Sequence, residues 1–149
     1  MEENVKETLQ ENLQPLDYAK ALIETIMRKY EAGALPPEGH FHYHQGVFLS
    51  GVYQNYLLCE DERYFQYMKQ WVDAMLDEDG TIRDYGSGHL DDIQPGNLLF
   101  PLYERTKEQK YRRTLDHLAE LVRNFPRNAE GGFWHMDCFA GQMWLDGLY

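Results

Sequence analysis

The chain has 149 residues, enough for one domain with a real core. Apolar residues make up 43% and aromatics 14%, which is a globular composition and not a disordered one. A formal net charge of −11 argues against a nucleic-acid partner, because phosphate backbones need clustered Lys and Arg. No apolar run approaches the ~18 residues of a membrane span, so no membrane partner is expected.

Residues 1–14, MEENVKETLQENLQ, read as a polar lead-in, with the domain proper over 15–149. The lead-in has neither the basic nor the apolar region of a secretory signal. Cys59 and Cys138 are the only cysteines, expected as free thiols. Together these point to the cytoplasm. From Leu16 to Tyr30, the residues Leu16, Ala19, Leu22, Ile23, Ile26, Met27 and Tyr30 recur at three and four, which predicts an amphipathic helix. Gly33 and Leu35-Pro36-Pro37 end it. A second helix is predicted from about Gln45 to Cys59. A third starts at Asp61, with Tyr64, Met68, Trp71, Val72, Met75 and Leu76 on one face. Asp79-Gly80 turns the chain, and Asp84 to His89 is loop. A fourth helix starts near Asp91 or Asp92, one of which serves as its N-cap, with Pro95 in its first turn. A fifth spans about Glu108 to Phe125. A sixth is expected to begin near Gly141. No period-two strand longer than a few residues is present.

An internal repeat organises these helices. Tyr56 and Tyr64 flank the turn LLCEDER, and Tyr103 and Tyr111 flank ERTKEQK, offset by 47 residues. In that register Trp71 falls on Leu118 and Met75 on Val122. Such repeats mean stacked helical hairpins, in an open solenoid or a closed ring. The terminal stretch Met143-Trp144-Leu145 is no polar cap, so the chain is expected to be part of a larger domain. It would then pair with a C-terminal half or a copy of itself.

Four groups of residues could carry chemistry. Asp146 sits among Met143, Trp144, Leu145 and Leu148. Apolar surroundings would raise its pKa above the ordinary value of about 3.9 and suit it to general acid work; a capping or solvated Asp is the plainer alternative. Of Asp91-Asp92, one is left over from capping and could form a carboxylate pair with Asp146, as in glycoside chemistry. His40, His42 and His44 alternate, but no Cys or acidic ligand is near in sequence, so neither metal nor another cofactor is expected. His135 follows two glycines and Trp134. Tyr43, Trp134, Phe139 and Trp144 are either sugar-stacking platforms or core.

The segments EGGFWH and QMWLDGLY, preceded by LDDIQPGNLLFPLYERTKEQKYRRTLDHLAELVRNFPR and FHYHQGVFLSG, resemble the unsaturated rhamnogalacturonyl hydrolases of glycoside hydrolase family 105, and less closely family 88. The resemblance covers about residues 16–149. It implies an all-α fold whose hairpins form roughly half of an (α/α)6 barrel, since members are more than twice this length. It also implies roles for individual residues. Asp146 falls on the general acid and base, and Asp91 on the Asp that contacts substrate near the reacting carbons. His135 falls on the His that binds the uronyl sugar. Tyr43 and His44 are placed beside the sugar, and Trp144 joins them as a substrate-binding candidate by its aromatic ring. Members commonly carry an acidic residue where His44 stands. The implied substrate is a rhamnogalacturonan oligosaccharide with a 4,5-unsaturated galacturonyl end, cleaved by hydration of its vinyl ether during pectin degradation. The alternatives are an unsaturated glucuronyl hydrolase acting on glycosaminoglycan-type disaccharides, and an inactive helical module that binds a partner.

Overall fold

The computed structural model describes residues 13–86 and 88–145. Helix α1 (Pro15–Lys29) opens with Pro at its first position, where its missing N–H costs nothing, and the Asp17 carboxylate accepts the backbone N–H of Gln14 at 2.9 Å. A 3₁₀ turn, Ala32–Ala34, leads to α2 (Tyr43–Cys59), followed by α3 (Glu62–Met75), whose N-cap Asp61 accepts from the Arg63 N–H. After two 3₁₀ turns, Leu90–Asp92 and Gln94–Leu98, come α4 (Leu99–Thr106) and α5 (Gln109–Asn124). Among the described residues the only β pairing is three isolated bridges. No helix among them is long and apolar enough to cross a membrane.

The 47-residue offset is visible as geometry. α2–α3 and α4–α5 are two hairpins, and each turn is made the same way. Glu60 and Lys107 adopt the left-handed conformation (φ 56° and 60°), and their N–H groups close onto the Tyr56 and Tyr103 carbonyls at 2.7 and 2.9 Å. The aligned pair Trp71 and Leu118 is buried in both copies.

The core is centred on α3, which buries Tyr64, Met68, Trp71 and Val72 almost completely. Phe41 stacks on Trp71 at 5.6 Å, so the loop entering α2 is held by the core itself. α2 packs closely on the Gln94–Leu98 turn because Gly46 has no side chain; a Cβ there would strike the Gln94 amide and the Pro95 ring. Gly96 serves the same purpose against Leu118 of α5.

Two expectations need correction. The fourth helix does not run from Asp91 or Asp92. Pro95 and Gly96 break that segment into 3₁₀ turns, and the α-helix begins at Leu99. The sixth helix expected near Gly141 does not start within residues 141–144: Gly141 has a left-handed φ of 73°, and the Gln142 carbonyl is taken by the His135 N–H at 2.7 Å; a 3₁₀ turn opens at Leu145, and the rest of that expected helix lies outside the described residues. Asp146 lies outside the described residues. Cys59 and Cys138 are both unpaired.

Candidate active site

The site is assembled by two loops that lie next to each other. Residues 88–90 and 135–137 pair by backbone hydrogen bonds. The Leu90 N–H donates to the His135 carbonyl at 3.2 Å, and the Asp137 N–H donates to the Gly88 carbonyl at 3.0 Å. Gly88 permits this approach, since a Cβ there would run into the Asp137 carboxylate. His135 is thereby buried, 3% exposed, directly beside His89. Trp144 lies flat on the His135 ring at 4.0 Å, and His89 meets it edge-on at 4.6 Å.

From His89 the rings continue toward the start of α2. His42 is 6.0 Å from His89, His44 stacks on His42 at 4.8 Å, and Tyr43 stacks on His44 at 4.1 Å. The Nδ1 atoms of His42 and His44 are 2.9 Å apart, so one donates to the other. Four sequence-predicted residues, Tyr43, His44, His135 and Trp144, thus lie along one file of rings, with Asp91 beside its His89 member. His42 and Asp92, singled out in the alternating histidines and the aspartate doublet, join them, and His89 joins unforeseen. The signal for His42 was its alternation with His40 and His44. His89 stood in the loop GHLDD with nothing to mark it.

The capping expectation fails here in an informative way. The N-cap of the Leu90–Asp92 turn is His89, whose Nδ1 accepts the Asp91 N–H at 3.2 Å. Neither aspartate is spent on capping, and both carboxylates are available. Asp91 stands 3.3 Å from His89, and Asp92 stands 3.8 Å from His42. Asp92, together with Phe41, His42, Asp84, Tyr85 and His89, lines a cleft of about 350 Å³, a size that suits a sugar unit.

Burial dominates the electrostatics of this cleft. It pushes the Asp92 carboxyl up to about 6, helped by the negative charge of Asp91 and opposed by His89 and His40. It also lowers His42, with His44 adding to the effect. His42 and Asp92 are therefore near neighbours without being a strong ion pair at neutral pH. Tyr85 is raised by burial, and its hydroxyl donates to the Asp92 carbonyl at 3.1 Å, anchoring the turn that carries both aspartates.

Of the predicted aromatic platforms, Trp144 and Tyr43 face the site, 51% and 37% exposed. Phe139 is exposed at the tip of the 135–142 loop, whose two ends are joined by the His135–Gln142 hydrogen bond. Trp134 is partly buried.

Comparison with known proteins finds a family, a sequence relative and a solved structure. The family model for Glycosyl Hydrolase Family 88 matches residues 18–149. The unsaturated rhamnogalacturonyl hydrolase YesR of Bacillus subtilis (strain 168) is 34% identical over 113 residues, covering 69% of this chain and 30% of that protein. A glycoside hydrolase of family 105 from C. acetobutylicum ATCC 824 superposes with a TM-score of 0.80 at 32% identity, covering 89% of this chain and 36% of that one. The chain thus spans about a third of the length of these relatives. Its helical hairpins are the corresponding part of their helical barrel.

Proposed function

Because the chain belongs to Glycosyl Hydrolase Family 88, we propose that it carries the acid–base half of a glycosidase site for oligosaccharides ending in a 4,5-unsaturated uronyl residue. The rhamnogalacturonan type is the substrate we favour, since the curated relative bears that activity in its name. The observation that supports the reading best is the clustering around His89 of two uncapped carboxylates, Asp91 and Asp92, with the His135 ring and the Trp144 face stacked on it.

In this reading Asp146 donates its proton to carbon 4 of the vinyl ether. Water adds to carbon 5 and returns a proton to Asp146. The hemiketal so formed opens, and the bond to the next sugar breaks with release of that sugar's hydroxyl. Trp144 offers a ring face to the uronyl unit, as Tyr43 does from the other end of the file. His135 and His44 bind through ring nitrogens, and Asp91 holds a hydroxyl next to the reacting carbons. The ring of hairpins is completed by structure that corresponds to the rest of the relatives' length. Two unpaired cysteines fit a reducing, cytoplasmic setting for a pectin-degradation step.

Loss of ultraviolet absorbance of the double bond tests the reaction directly. Unsaturated rhamnogalacturonan disaccharide should be consumed by the complete protein, and a glycosaminoglycan-derived unsaturated disaccharide much more slowly. Asp146→Asn should lower turnover at least ~100-fold while substrate still binds. An Asn variant with normal turnover would remove Asp146 from the role.

A further inference from the structure

His89, Asp91 and His135 each place one potential ligand atom within 4.8 Å of the other two. His135 is almost fully buried, and among the described residues its Nδ1 has no hydrogen-bond partner. A buried ring nitrogen left unpaired is costly, and such groups mark places where something binds. The His135 ring is held between Trp144 and His89 and is not free to turn away. The backbone pairing of residues 88–90 with 135–137 fixes the spacing of the two histidines. Among the described residues no Lys or Arg pairs with Asp91, whose carboxylate stands 3.3 Å from His89 Nδ1. Two imidazoles and one carboxylate on two braced loops make a donor set suited to a borderline-soft divalent ion.

We propose that the chain binds one divalent transition-metal ion of the zinc class through His89, Asp91 and His135, with a coordination position open to the cleft that His89 lines. Nitrogen and oxygen ligands stand about 2.0–2.2 Å from zinc, so tetrahedral neighbours lie about 3.4 Å apart. Closing to that spacing asks for side-chain rotation at His89 and Asp91, both half-buried, while His135 stays as the anchor. The alternating histidines are a separate group: His42 and His44 share a hydrogen bond between their Nδ1 atoms, and neither comes within ligand spacing of the His89, Asp91 and His135 set. The ion occupies groups assigned above to the sugar, so ion and substrate exclude one another. The binding itself does not depend on the hydrolase reading.

Calorimetric titration of the chelator-treated chain with ZnCl2 alone, at neutral pH, decides the matter. One ion per chain is expected. Affinity should fall at least ~10-fold in His89→Gln and in Asp91→Asn, and stay unchanged in His44→Gln. Replacing Zn²⁺ with Co²⁺ should give a visible absorption band that the first two variants lose. His135→Gln alters a buried residue and is read only where circular dichroism shows the parent's helical signal; His89→Gln and Asp91→Asn decide the outcome without it. No uptake, or uptake indifferent to His89→Gln and Asp91→Asn, overturns the proposal. Uptake abolished by His44→Gln also overturns it, by assigning the ion to the alternating histidines. None of these readouts measures turnover, so this proposal and the hydrolase reading can fail separately.

Discussion

Asp92 sits in an environment unlike that of an ordinary surface carboxylate. Its carboxyl is pushed up to about 6 by burial, so the folded chain holds its proton more tightly than the unfolded chain does. The stability gained from that proton is fully present below about pH 4 and is lost as pH rises through 6. Asp92→Asn removes this loss. The variant is expected to be more stable than the parent near pH 7, by up to about 3 kcal/mol, and level with it near pH 4. Denaturant unfolding at both pH values measures this, and an equal gap at the two would show that Asp92 is not the source. The doublet Asp91-Asp92 was legible in the sequence as a pair of carboxylates. That both are free was not, because the cap is His89 and capping preference favours Asp.

At the scale of the element, the two hairpin turns place non-glycine residues in left-handed backbone. Glu60 and Lys107 each carry a steric cost that Gly would not. Glu60→Gly and Lys107→Gly are each expected to stabilise the chain by about 0.5–1 kcal/mol, read as a rise in thermal midpoint. Gly80 shows the opposite case. Its φ is 89°, and a Cβ there would stand 2.6 Å from the Lys110 carbonyl of α5. Gly80→Ala should cost at least ~1–2 kcal/mol from backbone conformation, with the collision added to it. Wild-type stability in that variant would mean the turn does not lie against α5. The Asp79-Gly80 turn was readable from the sequence. Its close approach to a helix some thirty residues later was not, since nothing local records it.

For the whole molecule, Arg105 ties the second hairpin to the first. It donates to the Tyr56 hydroxyl and to Glu62, each at 3.0 Å, and its guanidinium lies 4.2 Å from the centre of the Phe65 ring. Arg105→Ala is expected to cost about 1–2 kcal/mol, above an ordinary exposed ion pair, because a cation–π contact is lost with it. Trp71→Ala, at the centre of the core, should cost about 3–5 kcal/mol and threaten folding outright. Chemical denaturation of both variants gives the comparison, and an Arg105→Ala chain as stable as the parent would mean that the hairpins hold without it.

Helical periodicity, the turn residues and the 47-residue offset by themselves determined the all-α class and its hairpins, because each rests on neighbours three, four or eight positions apart. The motifs GGFWH and QMWLDGLY likewise determined the family. Only the tertiary structure decided which histidines and carboxylates meet. His42, His89 and His135 belong to segments remote in sequence, and the backbone pairing of residues 88–90 with 135–137 brings the last two together. That pairing depends on Gly88 letting the loops close, and the place of His42 depends on Phe41 holding the entry to α2 against Trp71. Contacts of this kind are set by packing across the chain, and local spacing does not encode them.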